Sequence, residues 1–211
     1  MLTVHHLGIS QSERIVWLCE ELGIPYELKV YDRDPVTRLA PADYKALHEV
    51  GTAPIITDGD VVLPESGAII EYIIGKYGNG RLAVAPTAPN FADYLFWFHF
   101  ANASFLPRIS TAMGAKTGAE ETPRAKFMRE RGERAWSMVE ERLGKVPYFA
   151  GDEFTAADII MGFNLTTMRA WAPTDISGYP NIVTYLKRIG ERPAYRSAMQ
   201  KGDPAMTPML T

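Results

Sequence analysis

The stretch from Gly51 to Ile73, GTAPIITDGDVVLPESGAIIEYI, constrains the fold more than any other. Pro54 heads a short β-rich run, Ile55-Ile56-Thr57, and Asp58-Gly59-Asp60 supplies a hairpin turn with glycine where φ > 0 is needed. Val61-Val62-Leu63 returns as the partner strand and Pro64 ends it. Glu65-Ser66 then opens a helix whose apolar residues Ile69, Ile70, Ile73, Ile74 and Tyr77 share one face. A proline at the head of a strand donates nothing to the ladder. It also pushes Ala53 into an extended conformation, with its N–H and C=O left for another partner. A cis X-Pro bond, should the stretch hold one, falls here.

The elements before this stretch can be read the same way. Leu2 to Leu7 reads as a strand and Ser12 to Leu22 as a helix with Ile15, Val16, Leu18, Cys19 and Leu22 on one side. Gly23 closes that helix at C′, with Pro25 after it. Tyr26 to Tyr31 alternates as a half-buried strand. A loop through Arg33-Asp34-Pro35 and a short helix near Pro41 to His48 complete a β-α-β-α-β-β-α order. A βαβ unit joined through a proline loop to a ββα unit is the thioredoxin-like arrangement.

The pattern changes at Gly78-Asn79-Gly80, which breaks the helix, and Val84 to Pro89 is a Pro/Ala linker. Beyond it no strand is expected. Asn90 to about Met113 reads as a long aromatic helix bent around Pro107, and Gly114 to Thr122 as a polar loop. Pro123 begins a helix to Leu143, with Met128, Ala135, Trp136, Val139 and Leu143 facing inward. Thr155-Ala156-Ala157-Asp158 is a capping-box pattern before an apolar run to Trp171. A helix so apolar on every side belongs in the middle of a bundle. Shorter helices are expected near Asn181 to Glu191 and Ala194 to Lys201, followed by a loosely held tail. The expected division is a thioredoxin-like domain at 1–79, a linker at 80–89 and an all-helical domain at 90–211.

Composition excludes several classes. A net charge of −3 without a Lys/Arg run leaves no footprint for nucleic acid or a membrane surface. The aromatic segment Phe91 to Leu106 contains Asp93, His99 and Asn102 and is too short to span a bilayer. A single cysteine, Cys19, forbids an intrachain disulfide and favours a reducing compartment. Met1 to Ser12 lacks the basic and apolar regions of a signal peptide. A cytoplasmic protein is expected. His5 and His6 on a strand point to opposite faces and cannot chelate one ion together. His48 and His99 have no partners at ligand spacing, so no metal is expected. Cys19, on the apolar face of its helix, reads as a packed thiol.

The X-Pro loop, hairpin and Glu-Ser helix start resemble the second half of the glutathione-binding domain of cytosolic glutathione transferases. The order of a thioredoxin-like domain, a short linker and a helical domain extends the resemblance over the whole chain. Phe154-Thr155-Ala156-Ala157-Asp158-Ile159 is similar to a folding motif of that family, and so is the Arg192-Pro193-Ala194 turn. The segments Arg14-Ile15-Val16-Trp17-Leu18 and Glu20-Glu21-Leu22-Gly23-Ile24-Pro25-Tyr26 look like a bacterial and fungal branch. Leu39-Ala40-Pro41 adds to that likeness.

What the resemblance implies can be set against the chemistry of each residue. Ser66 and Glu65 stand at a helix N-terminus, where free N–H groups and the dipole favour an anion. There Ser66 would take the γ-glutamyl carboxylate of glutathione and Glu65 its ammonium; the same pair also serves as an ordinary helix cap. Ala53, before Pro54, would pair with the cysteinyl backbone. Thr52 would add a side-chain hydrogen bond, although relatives often carry a longer residue there. Lys45 would reach the glycyl carboxylate, as well as reading as a solvated surface lysine. Relatives activate the thiol with Tyr, Ser or Cys near the end of the first strand or the start of the first helix. His5 or His6 occupies the early tyrosine position; Ser10, four residues before Arg14, is most similar to the serine of the serine-type members, with Ser12 the second choice. Ser10-Gln11-Ser12-Glu13 is itself a capping-box pattern, and the two roles are compatible. Phe96, Phe100, Phe105 and Met113 are candidates for an acceptor pocket, core packing being their other reading.

The implied function is conjugation of glutathione, as co-substrate, to a small hydrophobic electrophile in a cleft between domains, by a homodimer. Two alternatives stay open. One is a binding or regulatory protein on the same fold, the other a different glutathione-dependent enzyme such as an isomerase, dehalogenase or peroxidase.

Overall fold

A computed structural model describes residues 1–114 and 122–211, with the side chains of 112–114 left aside. The expected polar loop after Gly114 lies outside the described residues, as does the Met113 side chain. The chain forms two compact units, residues 1–83 with 189–208, and residues 84–188 with 209–211.

In the first unit, β1 (Leu2–Leu7), α1 (Glu13–Leu22), β2 (Glu27–Tyr31), α2 (Ala42–Lys45), β3 (Ile55–Asp58), β4 (Val61–Pro64) and α3 (Ser66–Lys76) follow the expected order. The sheet runs β2-β1-β3-β4. β1 and β2 are parallel, and the other two pairings are antiparallel. This is the thioredoxin-like mixed sheet that the ββα ending implied. Gly59 takes φ 60° in the hairpin turn and Gly23 φ 62° at the end of α1. Both are left-handed positions where a side chain would be strained. β2 is an edge strand, and its alternation fails at Val30, which is 47% exposed.

The apolar stripe of α1 is fully buried. Packed along it is the last helix of the chain, Pro193–Gly202, described with this unit. Trp17 meets Tyr195 edge-on at 5.0 Å. Arg192 forks onto Glu21 at 2.6 and 2.7 Å, and Ser197 and Lys201 both reach Glu20 at 2.6 Å. The tail is not loosely held where it leaves that helix. Asp203 is buried, with one carboxylate oxygen on the Ile9 N–H and the other on His6. A buried carboxylate with two donors fixes the backbone that carries it.

The second unit is helical: α4 (Phe91–Phe100), α5 (Leu106–Gly114), α6 (Pro123–Leu143), α7 (Ala156–Leu165), α8 (Met168–Trp171) and α9 (Pro180–Gly190), the last ending at the unit boundary; the Pro193–Gly202 helix above is α10. The irregularity expected at Pro107 lies just before it, as a π-helical turn over Ala101–Phe105. A widened turn accommodates a proline that has no N–H for the turn behind it. The run expected as one helix from Thr155 to Trp171 is two. Thr166 closes α7 and turns its hydroxyl back to donate to the Gly162 carbonyl at 2.9 Å. Such local bonding competes with continuation of the helix.

α7 is buried at every position, as its all-round apolarity required. Its capping box forms in full, and Asp158 gathers four donors: the N–H groups of Phe149 and Thr155 and the hydroxyls of Thr155 and Tyr185. Around it Phe149 meets Trp97 at a tilt and Tyr185 edge-on, both at centroid distances of 5.2 Å. Asp158→Ala strands these donors away from water. It is expected to lower the unfolding free energy by about 3 kcal/mol, read from the urea midpoint. A loss below about 0.5 kcal/mol, the level of an ordinary surface change, would count against this account of α7.

Candidate functional site

The loop after β1 carries the first set of polar groups. Ile9 has φ 51°, which turns the chain sharply before Ser10. Arg33 holds the loop from one side, donating to the Gly8 carbonyl at 2.7 Å, while Asp203 accepts the Ile9 N–H at 2.8 Å from the other. Ser10 and Ser12 are thus presented by a clamped segment at the N-terminus of α1.

Ser10 is 6% exposed and Ser12 has no exposure. Ser10 Oγ accepts the Ser12 N–H at 3.2 Å, a cap-type bond, and lies 2.7 Å from Ser12 Oγ. Ser12 makes no cap of its own. Its hydroxyl turns inward, accepts the Leu7 N–H at 3.1 Å and meets His6 Nδ1 at 3.0 Å. Beyond it, His6 Nε2 meets Asp203 at 3.0 Å. One continuous hydrogen-bonded chain therefore runs from Ser10 to Asp203.

The second set lies at the proline loop and the start of α3. The Ala53–Pro54 bond is cis. Ala53 stands beyond the last β1–β3 pair, His5 with Ile55, and packs against a cluster of Leu7, Tyr31, Tyr44 and Ile55. Thr52 is exposed. Lys45 ends α2 and is exposed, with its Cγ next to Gly51. Glu65 is exposed, with φ 76°, an unusual conformation for a residue with a side chain. Ser66 is 2% exposed, and its hydroxyl accepts from Arg14 Nη1 at 3.1 Å. As an acceptor there, the hydroxyl keeps its own proton to donate elsewhere.

Arg14 joins the two sets, and the sequence reading gave it no role. It has no exposure, and the same Nη1 reaches Gln11 Oε1 at 2.6 Å as well as Ser66. Burial lowers its pKa to about 9, against the raising effect of Glu13, so it stays a cation at neutral pH. Arg14 lies four residues before Leu18 and eight before Leu22, on the buried stripe of α1. A charge on an apolar stripe was the signal. The same holds for His6, which shares a face of β1 with Leu2 and Val4.

Other candidates fall away from the site. His5 faces the opposite side of the sheet, between the Tyr31 hydroxyl at 2.9 Å and Thr57 Oγ1 at 3.0 Å, and burial lowers its pKa. Burial, then the charge of Glu20, pushes the Cys19 thiol up to about 12, which keeps it protonated and inert. Phe100 and Phe105 are buried in the core of the helical unit, and Phe96 is 47% exposed. A cavity of about 320 Å³ in that unit is lined instead by Ser104, Arg108, Thr111, Arg124, Met128 and Arg131, among others.

Known proteins place this geometry. The model of the glutathione S-transferase N-terminal domain matches residues 10–74, and that of the C-terminal domain residues 119–188. Glutathione S-transferase 3 of Schizosaccharomyces pombe is 33% identical over 95% of this chain and 88% of its own length. The chain belongs to the glutathione S-transferase family. Another transferase, GstB of Escherichia coli, is 29% identical over 90% of this chain and 93% of its own. A glutathione S-transferase crystal structure from Actinobacillus pleuropneumoniae superposes with a TM-score of 0.88. It is 35% identical and covers 96% of this chain and 93% of that one.

In this transferase Arg14 is the joint between the Ser10 loop and the tip of α3. A lysine there keeps the charge but ends in a shorter, differently placed ammonium that does not reproduce the Nη1 bonds to Gln11 and Ser66. Arg14→Lys is expected to cost about 2 kcal/mol of unfolding free energy, measured by denaturant titration. Wild-type stability in that variant would show that the Arg14 bridge is not what ties the two helix starts together.

Proposed function

We propose that this glutathione S-transferase ionises the thiol of glutathione beside Ser10 and directs it at a small hydrophobic electrophile. The observation that carries the reading is the Arg14 bridge. It ties the loop that presents Ser10 to the helix tip that presents Ser66. The tripeptide needs both at once, since its sulfur and its γ-glutamyl end lie at two ends of one extended ligand. A sphingomonad glutathione S-transferase solved in complex with glutathione has this fold, with a TM-score of 0.75 at 22% identity.

Each residue has a part that its chemistry supports. The α3 N-terminus offers amides and a dipole to the γ-glutamyl carboxylate, with the Ser66 hydroxyl as a further donor. Glu65, exposed at the same tip, pairs with the ammonium. Ala53 offers its backbone to the cysteinyl part, held in place by the cluster it packs on. Pro54 shapes that loop, and Thr52 at its exposed edge adds a hydroxyl. Lys45 beside Gly51 takes the glycyl carboxylate. Ser10, nearer the surface than Ser12, donates to the sulfur, and the amides at the start of α1 add their partial charge. Ser12 supports Ser10 from behind.

Among the described residues no helix is long and apolar enough to cross a membrane. A cytoplasmic homodimer is the assembly and location we propose for it.

Turnover of a generic aromatic halide, compared between wild type and Ser10→Ala, tests the reading. We expect kcat/KM to fall at least ~30-fold, about 2 kcal/mol of transition-state stabilisation. An unchanged rate would remove Ser10 from the mechanism, and absence of turnover with any electrophile would favour a binding protein. In calorimetry, Glu65→Ala with Ser66→Ala should weaken glutathione binding by about two orders of magnitude, from the loss of charge-assisted bonds. Retained affinity would refute the γ-glutamyl site.

A further inference from the structure

The chain from Ser10 to Asp203 has two arrangements in which every link is paired. The Asp203 carboxylate can only accept, so His6 Nε2, 3.0 Å away, carries a proton. Ser12 Oγ accepts the Leu7 N–H and sits between His6 Nδ1 at 3.0 Å and Ser10 Oγ at 2.7 Å, with the Leu7 carbonyl at 3.4 Å as a longer and weaker acceptor for its proton. If His6 is neutral, Ser12 donates to Nδ1 and Ser10 donates to Ser12. The one O–H of Ser10 then points inward and is unavailable to a ligand. If Nδ1 is protonated, it donates to Ser12, Ser12 donates to Ser10, and the Ser10 O–H is freed to point outward. The two states differ by one proton on His6.

A glutathione thiol has one proton to lose, and a thiolate needs the Ser10 O–H directed at it. Only the protonated state of His6 meets both requirements. We propose that His6 is the base that stores the proton of the glutathione thiol, reached through Ser10 and Ser12, while Asp203 holds the imidazolium. This rests on the reading that Ser10 meets the sulfur. The S–H bond breaks and its proton passes to Ser10 Oγ. Ser10 passes its own proton to Ser12 Oγ, and Ser12 its own to His6 Nδ1. One S–H bond is lost, one N–H bond is formed, and each serine exchanges one O–H for another. The products are a thiolate facing Ser10 and a buried imidazolium–carboxylate pair, with no proton released to solvent.

Burial separates this chain from a hydrolytic Ser-His-Asp site. Ser12 has no exposure, and its hydroxyl already meets Ser10, His6 and Leu7, so no substrate carbon reaches it. His6 also has no exposure, and an unpaired imidazolium there would be costly. Asp203, in contact and itself buried, supplies the counter-charge, and the Ile9 N–H on its other oxygen keeps it in place. The groups facing His6 are few. The end of α10 brings Asp203 and the bare backbone of Gly202, where an added Cβ would lie 3.1 Å from Nε2. α1 brings Ser12, and β2 brings Val30 at the paired position. Arg33 lies behind Asp203, close enough to feel its charge. His6 and Asp203 act through Ser10 and are positioning residues.

Nitrogen-15 NMR of the His6 ring in the wild-type enzyme tests this without any variant. Saturated with glutathione near neutral pH, both ring nitrogens should be protonated. Saturated with S-methylglutathione, which has no thiol proton to give, only one should be. The same ring state with both ligands overturns the proposal. Ultraviolet titration of the bound thiolate supplies a second readout. Asp203→Asn should raise its apparent pKa by about one unit, or about tenfold less thiolate at a given pH below both values. An unmoved titration in that variant also overturns the proposal. Ser10→Ala separates the two readings. If it titrates like wild type, the role of Ser10 fails and the route fails with it. If it loses the thiolate while the wild-type ring state is the same with both ligands, Ser10 stands and His6 does not.

Discussion

A guanidinium without solvent is the feature on which the first unit depends. Arg14 places a full positive charge between the N-termini of α1 and α3, which are themselves the positive ends of their helices. Burying an ion costs several kcal/mol even after relaxation, so the site tolerates it only with fixed partners. Gln11 and Ser66 supply oxygen, and Glu13 supplies opposite charge. That leaves a buried cation beside the positive end of α3, while the first amides of α1 are taken up by the carbonyls of Ser10, Gln11 and Ser12. In the function proposed above, a ligand with a carboxylate at one end and an incipient thiolate at the other completes this arrangement. The same residue that organises the fold thereby biases what the fold binds.

The size of the thiol effect limits what that potential can do by itself. Lowering a thiol from pKa ~8.5 to ~6.5 raises its thiolate fraction at neutral pH about 25-fold. Its intrinsic nucleophilicity falls by about eightfold with the same shift, at β of about 0.45. The net gain is about threefold. Holding the sulfur and its electrophile in a reactive geometry can supply several orders of magnitude more. The clamped loop, the packed Ala53 and the Arg14 joint are therefore of greater consequence than acidity alone. In the proposed reading they fix where the sulfur points.

Much of this was legible locally. The Asp58-Gly59-Asp60 turn, the Gly23 stop and the Thr155–Asp158 cap each encode their conformation within a few residues, and each formed as read. The same sequence logic put Ser66 at a helix start and Ser10 before α1. What it could not reach were contacts made across the chain. Asp203 and His6 are 197 residues apart, and nothing in the composition of the tail indicates that one carboxylate anchors it. Nor does the apolar stripe of α10 say which body covers it. Phe105 illustrates a further limit, since an aromatic on a helix fits a ligand pocket or a core equally well until its neighbours are known. Trp136, 5.1 Å away and edge-on, decides for the core.

The β1 face shows how a sequence signal can be present and still be misjudged. His5 and His6 alternate across the sheet, so neither can join the other on a metal, and that inference was sound. It left open why a face otherwise made of Leu2 and Val4 should hold an imidazole with no exposure. An apolar residue there would pack as well and leave no polar atom to satisfy. His6 instead requires both Asp203 and Ser12, and those partners in turn hold the loop that presents Ser10. A buried polar chain that ends at the Ser10 hydroxyl, the site proposed for the thiol, is hard to explain by packing, because hydrophobic substitutes of similar volume avoid its desolvation cost. Its two proton arrangements, one of which frees the outermost hydroxyl, give it a use that packing does not.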